Sequence, residues 1–274
     1  MTATPIPRTL SITIHGDMDI SIIDELPKNR LPIKTSLIQP DEIESTYEFM
    51  KKEMLEGRQC FIVYPLIEES EILDLEAAKS GFEKLKKIFK DFEVGYINGK
   101  MKKDEIDNQM IKMNNGKINC LVATTVIEVG INIPNATVIM IENSERFGMT
   151  QLHQLRGRIG RGHKQSYCFF IQRKKSPNAN KRLKIMTSTL DGFIISDEDL
   201  KMRGPGDFFG TKQHGFIKSK VVDFSNDGPI IRRARQQAFE MIIKDPKLLL
   251  GSNKKIKTVF KRKYKHMLEF VKIG

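Results

Sequence analysis

The chain has 274 residues, 39% of them hydrophobic, which is enough for one large or two modest cores. Its 46 Lys and Arg against 34 Asp and Glu leave a formal charge of +12, a balance that suits a polyanionic partner. Three scattered cysteines exclude a disulfide scaffold or zinc site, and no apolar run approaches the length of a membrane span, so a reduced, cytoplasmic protein is expected.

In chain order, TATPIPRT (2–9) comes first, with two prolines that stiffen an extended crossing. From Thr35 onward, short β-rich runs alternate with helical patterns. TSLIQ precedes a helix predicted over 41–55, with Ile43, Tyr47, Met50 and Met54 at helical spacing. CFIVYP precedes a helix over 73–90 with Leu75, Phe82, Leu85 and Phe89 on one face. EVGYIN precedes a helix over 102–114, INCLVAT leads into 122–136, TVIMIE leads into a helix carrying QLHQL, and SYCFFI closes the set. Cys60, Cys120 and Cys168 fall in three of these runs and are expected as buried small hydrophobes.

Near-continuous apolar strands separated by helices predict an α/β, doubly wound parallel sheet over residues 33–175. Ligands of such sheets sit at the carboxyl ends of strands, so the GINIP turn and the QLRGRIGR segment are both expected at a crevice there. The polar stretch 173–180 marks a boundary. A smaller, mostly helical and irregular C-terminal domain is expected over 176–274. It holds a short helix over 180–190, a glycine-dense shaped loop (MRGPGDFFGTKQHG), an amphipathic helix ending at Pro246, and a basic helical tail. Residues 1–32 are left as a separate leading segment.

The densest chemistry is QLHQLRGRIGRG (151–162), with Gln154, Arg156, Arg158 and Arg161. Arginine presents a planar donor fork that matches phosphate oxygens, and glycines allow close approach. A structural reading of the same residues is a basic turn that ends a helix. Thr124 and Thr125 follow an apolar strand as small hydroxyl donors, Gly130 permits a turn, and Thr and Asn both cap helices well. Arg203, Lys212 and Gln213 lie in or beside the glycine-dense loop. Phe208 and Phe209 there are equally able to pack a plain surface loop. The basic tail reads either as a phosphate-backbone contact or as a solvated helix face. His153 is expected to be a hydrogen-bonding core residue, and the histidines show no metal spacing, so no metal site is expected. No G-x-x-x-x-G-K-[ST] occurs: the two Gly-Lys pairs, 99–100 and 116–117, are followed by Met and Ile. A P-loop supplies the amides and lysine that cradle triphosphate, so this chain is not expected to hydrolyse ATP alone.

Six ordered blocks resemble a known family. TATPIPRT, VATTVIEVGINIPNA (122–136) and QLHQLRGRIGRG resemble the third, fifth and sixth motifs of superfamily 2 helicases. GDMDISIIDELPKNRLPIKT (16–35) and YPLIEESEILDLEAA (64–78) resemble the RecG family of branched-DNA helicases. DGFIISDEDLKMRGPGDFFGTKQHG (191–215) resembles the translocation motif that RecG shares with Mfd. The resemblance runs from Thr2 to about Leu250. It implies a RecA-like second motor lobe and a translocation domain, with 1–32 as the end of the first lobe and an interlobe linker. A first motor lobe and an N-terminal wedge are expected to belong to the same enzyme.

By that resemblance Arg158 and Arg161 face the γ-phosphate of ATP held, with Mg2+, mainly by the other lobe, and Gln154 senses the same phosphate. Arg156 lies outside the two finger positions and is expected to form a salt bridge or face DNA. Thr124 and Thr125 contact the DNA backbone. Gly130 and Asn132 fall in the nucleotide-side turn, where Asn132 replaces the aspartate that usually holds the ribose. Arg203, Lys212 and Gln213 move along duplex DNA, and Thr2 and Thr4 couple the lobes. The partner implied is branched double-stranded DNA, and a monomer without membrane attachment is expected. An Mfd-like motor and, from a different class, a non-catalytic DNA-binding module remain alternative readings.

Overall fold

Three strands that are buried at every position set the architecture of this computed structural model, which describes residues 30–66, 71–125, 133–203 and 227–270. They are β2 (Gln59–Val63), β4 (Cys120–Ala123) and β5 (Ala136–Ile141). With β1 (Lys34–Ile38), β3 (Val94–Ile97) and β6 (Tyr167–Ile171) they form one six-stranded sheet in the order β1-β6-β5-β2-β4-β3, all pairs parallel. Parallel strands need crossovers, and α1 (Ile43–Leu55), α2 (Glu71–Ile88), α3 (Lys103–Asn114) and α4 (Met149–Arg156) provide four of the five. This is the doubly wound α/β sheet that the sequence predicts.

Side chains alternate between the two faces of a strand, and the core divides accordingly. Cys60, Ile62, Cys120, Val122, Val138 and Met140 meet Ile43, Tyr47, Met50 and Met54 of α1 and Leu85 of α2. Phe61, Val63, Leu121, Ala123, Ile139 and Ile141 meet Leu152 and Leu155 of α4 on the opposite face. The three cysteines are fully buried, and burial pushes every thiol above its usual range.

The first of two compact units holds the described residues 30–203, so it includes two helices beyond the polar break. They are α5 (Pro177–Ser188) and α6 (Gly192–Arg203). α5 starts earlier than the predicted 180–190, because Pro177 fits the first helical turn and Ser176 Oγ accepts the Ala179 amide at 3.2 Å. The second unit holds residues 227–270. In it, α7 (Gly228–Lys244) ends at Asp245, whose carboxylate accepts the amides of Leu249 and Leu250, both at 2.8 Å. α8 (Lys254–Phe270) is the expected basic helix.

Candidate functional site

A braced turn aims α4. After β5, Asn143 takes a left-handed conformation (φ 47°) and Ser144–Arg146 form a 3-10 turn. Glu142, 2% exposed, accepts Arg173 Nε and Nη2 at 3.1 and 3.0 Å. Arg146 forks onto Asp74 of α2, and Arg182 donates to the Glu145 carbonyl at 2.7 Å. Ser144 Oγ donates to the Ile171 carbonyl at 3.0 Å. Such forked, charge-assisted bonds fix direction as well as contributing energy. Burial first, and then the Glu142 charge, push the phenol of nearby Tyr47 up to about 12 and raise that of Tyr64. Both stay protonated.

α4 then runs antiparallel to the strands, with Leu152 and Leu155 buried and Gln154 half-exposed. At its end Arg156 is 2% exposed. Its Nη1 donates to the Met186 carbonyl at 2.6 Å, and Nη2 lies 3.3 Å from His153 Nδ1. Burial first, and then the Arg156 charge, hold His153 down to about 4. The ring is therefore neutral at pH 7 and accepts through Nδ1. His153 is the hydrogen-bonding residue expected. Arg156 corrects its expectation: it neither faces DNA nor, among the described residues, pairs with a carboxylate. It folds under the loop, against the last turn of α5.

The loop that follows is shaped by two glycines. Gly160 has φ +70°, and a Cβ there would meet Ile33 Cγ1 at 3.0 Å. A Cβ on Gly162 would lie 2.7 Å from the Pro134 carbonyl oxygen. Arg158 and Arg161 are half-buried, and Arg161 Nε reaches the Gly157 carbonyl at 3.3 Å. Arg30 Nε donates to the Gly160 carbonyl at 2.8 Å. Burial first, then the charges of Arg158 and Arg30, lower the Arg161 pKa, although an arginine stays cationic throughout. Three guanidinium groups thus share one neighbourhood, and a polyanion placed there relieves their mutual repulsion. The sequence reading missed Arg30. Its only local signal is an arginine a few residues ahead of β1.

The loop's location corrects a second expectation. The predicted crevice lay at the carboxyl ends of the strands, but α4 carries the chain back, so the 157–166 loop lies at the amino ends of β5 and β6. Gly162 sits beside Pro134, two residues before β5, and Lys34 N donates to the Ser166 carbonyl at 2.9 Å where β1 and β6 begin. The end of the GINIP segment and the arginine loop do meet, at that edge. Thr124 and Thr125 are at the other end, just past β4. Thr124 is fully buried, and among the described residues its Oγ1 has no hydrogen-bond partner. Arg203 closes α6. Thr2, Thr4, Gly130, Asn132, Lys212 and Gln213 lie outside the described residues.

A parallel RecA-like sheet with an arginine-bearing loop after the last crossover helix is the architecture of the second lobe of superfamily 2 helicases. Comparison with known proteins agrees. The family described as helicase conserved C-terminal domain matches residues 42–163, and that described as ATP-dependent DNA helicase RecG, domain 3, C-terminal, matches 189–274. The ATP-dependent DNA helicase RecG of Synechocystis sp. is 46% identical over 269 residues, 98% of this chain and 32% of that protein. RecG of Streptococcus pneumoniae is 48% identical over 239 residues, 87% of this chain and 36% of that protein. A solved structure of RecG bound to a three-way DNA junction superposes with a TM-score of 0.68 at 43% identity, covering 84% of this chain and 30% of that one. The chain belongs to the RecG family and spans about a third of the length of these relatives.

Proposed function

We propose that this chain supplies the second motor lobe and translocation elements of an ATP-driven, branched-DNA translocase that remodels stalled forks and recombination junctions. The observation that carries the reading is the convergence of Arg158 and Arg161 on a loop whose backbone is held by Gly160 and Gly162. The donor set there is cationic, so it fits a polyphosphate and not a metal ion. Mg2+ with ATP is held mainly by a P-loop lobe, with Gly130 and Asn132 on the nucleotide side. When the lobes close, Arg158 and Arg161 stabilise charge developing on the γ-phosphate, and Gln154 orients the water beside it. An arginine in this role is worth about 10³–10⁵ in rate.

At the carboxyl end of β4, Thr124 and Thr125 take the DNA backbone. Arg203, Lys212 and Gln213 push on duplex DNA, and Thr2 and Thr4 couple the lobes. Residues 1–32 act as the linker, 33–175 as the motor lobe and 176–274 as the translocation domain, in a monomeric, cytoplasmic enzyme. Exposed Lys254, Lys255 and Lys261 of α8 add a salt-dependent phosphate contact.

The test is DNA-stimulated ATP hydrolysis by the complete two-lobed enzyme. Arg158→Ala and Arg161→Ala each lower kcat by at least about a hundredfold while fork binding persists. Unchanged turnover in both variants refutes the assignment. The present chain alone, with or without forked DNA, is expected to show no turnover. Turnover by it would mean that it holds a triphosphate site of its own.

A further inference from the structure

We propose that Arg30 is a positioning residue for the arginine loop: its single bond to the Gly160 carbonyl sets where Arg158 and Arg161 stand. The inference rests on the reading of those two arginines as phosphate-facing, and it adds a residue and a route. The route is a strap. Residues 30–34 run beside residues 160–166, tied at three points. Arg30 Nε donates to the Gly160 carbonyl at 2.8 Å, Gln165 Nε2 donates to the Pro32 carbonyl at 2.7 Å, and Lys34 N donates to the Ser166 carbonyl at 2.9 Å. Ile33 packs where a Cβ on residue 160 would otherwise stand. The β1–β6 ladder, from Lys34↔Tyr167 to Ile38↔Ile171, anchors one end of the strap to the sheet.

The Gly160 carbonyl lies between the two arginines in sequence, directly before Arg161, at the one positive-φ residue of the loop. A donor there therefore fixes the peptide plane about which the loop turns. Displacing a catalytic group by about 1 Å can cost a hundredfold in rate. A shift in the chain ahead of β1 therefore has a direct route to the finger arginines through this bond. The bond is made by Nε alone, so it depends on a donor and not on the guanidinium charge.

That distinction supplies the experiment. Glutamine carries an amide nitrogen the same number of bonds from Cα as arginine Nε, whereas methionine has similar length and no donor. In the complete two-lobed enzyme, Arg30→Gln is expected to keep DNA-stimulated kcat within about twofold of wild type. Arg30→Met is expected to lower it on the order of tenfold, with little change in KM for ATP or in fork affinity. In an Arg161→Ala background, Arg30→Met should add little further loss, because residues that act as a unit are not additive.

Equal loss in the Gln and Met variants, or full additivity with Arg161→Ala, overturns the proposal. Should the Met variant fail to fold, the Gln variant still decides, since a tenfold loss there refutes a donor-only role. If Arg158→Ala and Arg161→Ala themselves leave turnover unchanged, the phosphate-facing reading has failed. If those two lose activity and Arg30→Met does not, only the inference about Arg30 has failed.

Discussion

Replacing Arg156 with methionine isolates what a buried guanidinium does in this lobe. Met186 lies in the last turn of α5, where carbonyls have no intrahelical donor. Arg156 Nη1 satisfies that carbonyl at 2.6 Å and places positive charge at the negative end of the helix dipole. Losing a hydrogen bond from a charged donor costs about 1.5–3 kcal/mol. The dipole contribution adds roughly 0.3–1 kcal/mol. Against this, methionine no longer buries a cation, and burial is what lowers the Arg156 pKa. That relief offsets part of the loss, because desolvating an ion costs several kcal/mol when its partner is only a neutral group.

The net expectation for Arg156→Met is destabilisation by about 2 kcal/mol. For Arg156→Ala it rises to about 3–4 kcal/mol, since the stem also leaves a cavity. For a lobe of this size the methionine variant should lower Tm by roughly 4–8 °C. The assay is urea unfolding of the chain followed by circular dichroism, with the wild-type m-value retained. A methionine variant within about 0.5 kcal/mol of wild type would show that desolvation cancels the bond and that Arg156 contributes nothing to stability.

Three further outcomes follow from the same geometry. Gly160→Ala must adopt φ +70° and push Ile33 aside, so a loss of about 1–3 kcal/mol is expected by urea unfolding, and no loss would show that the loop is free to rearrange. Gln59→Leu should cost about 2–4 kcal/mol, because Nε2 donates to the buried Met113 and Ile118 carbonyls, each at 2.6 Å; a neutral result would mean that water replaces the amide. His153 has a folded pKa depressed from 6.5 to about 4, so the unfolded chain binds its proton first as pH falls. Its contribution is therefore complete above about pH 6.5 and is lost towards pH 4, by up to about 3 kcal/mol; His153→Gln should flatten the stability profile in that window, and an unchanged profile refutes the assignment.

The sheet was legible because its strands are apolar at almost every position and its helices carry Ile43, Tyr47, Met50 and Met54 at regular spacing. That pattern follows directly from burial on both faces. The arginine loop was legible as chemistry but misplaced in space. Glycine and arginine spacing says which residues can meet phosphate. It does not say which end of the sheet the crossover helix will deliver them to, and that depends on the direction of α4. Arg156 was misread because a buried arginine and an exposed one look alike in sequence. The difference lies in the Met186 carbonyl, 30 residues away. Arg30 went unread for the same reason, since its partner lies 130 residues further along the chain.

The placement of the two halves of the site has a mechanical consequence. Thr124 and Thr125 follow the carboxyl end of β4, whereas Arg158 and Arg161 sit beside the amino ends of β5 and β6. Strands of 4–6 residues separate these positions by roughly 13–20 Å along the sheet. No single side chain spans that gap, so under the proposed roles phosphate chemistry and DNA contact are coupled through the structure between them. One route is the sheet, whose buried central strands are close-packed and resist deformation. The other is the segment joining β4 to Pro134, which begins at the threonines and ends against Gly162. Lengthening that segment by one glycine is expected to leave the sheet intact and so to perturb the second route. In the complete enzyme such an insertion is expected to preserve fork binding and basal ATP hydrolysis while abolishing stimulation by DNA. If stimulation survives, coupling runs through the sheet and the lobe acts as a rigid block.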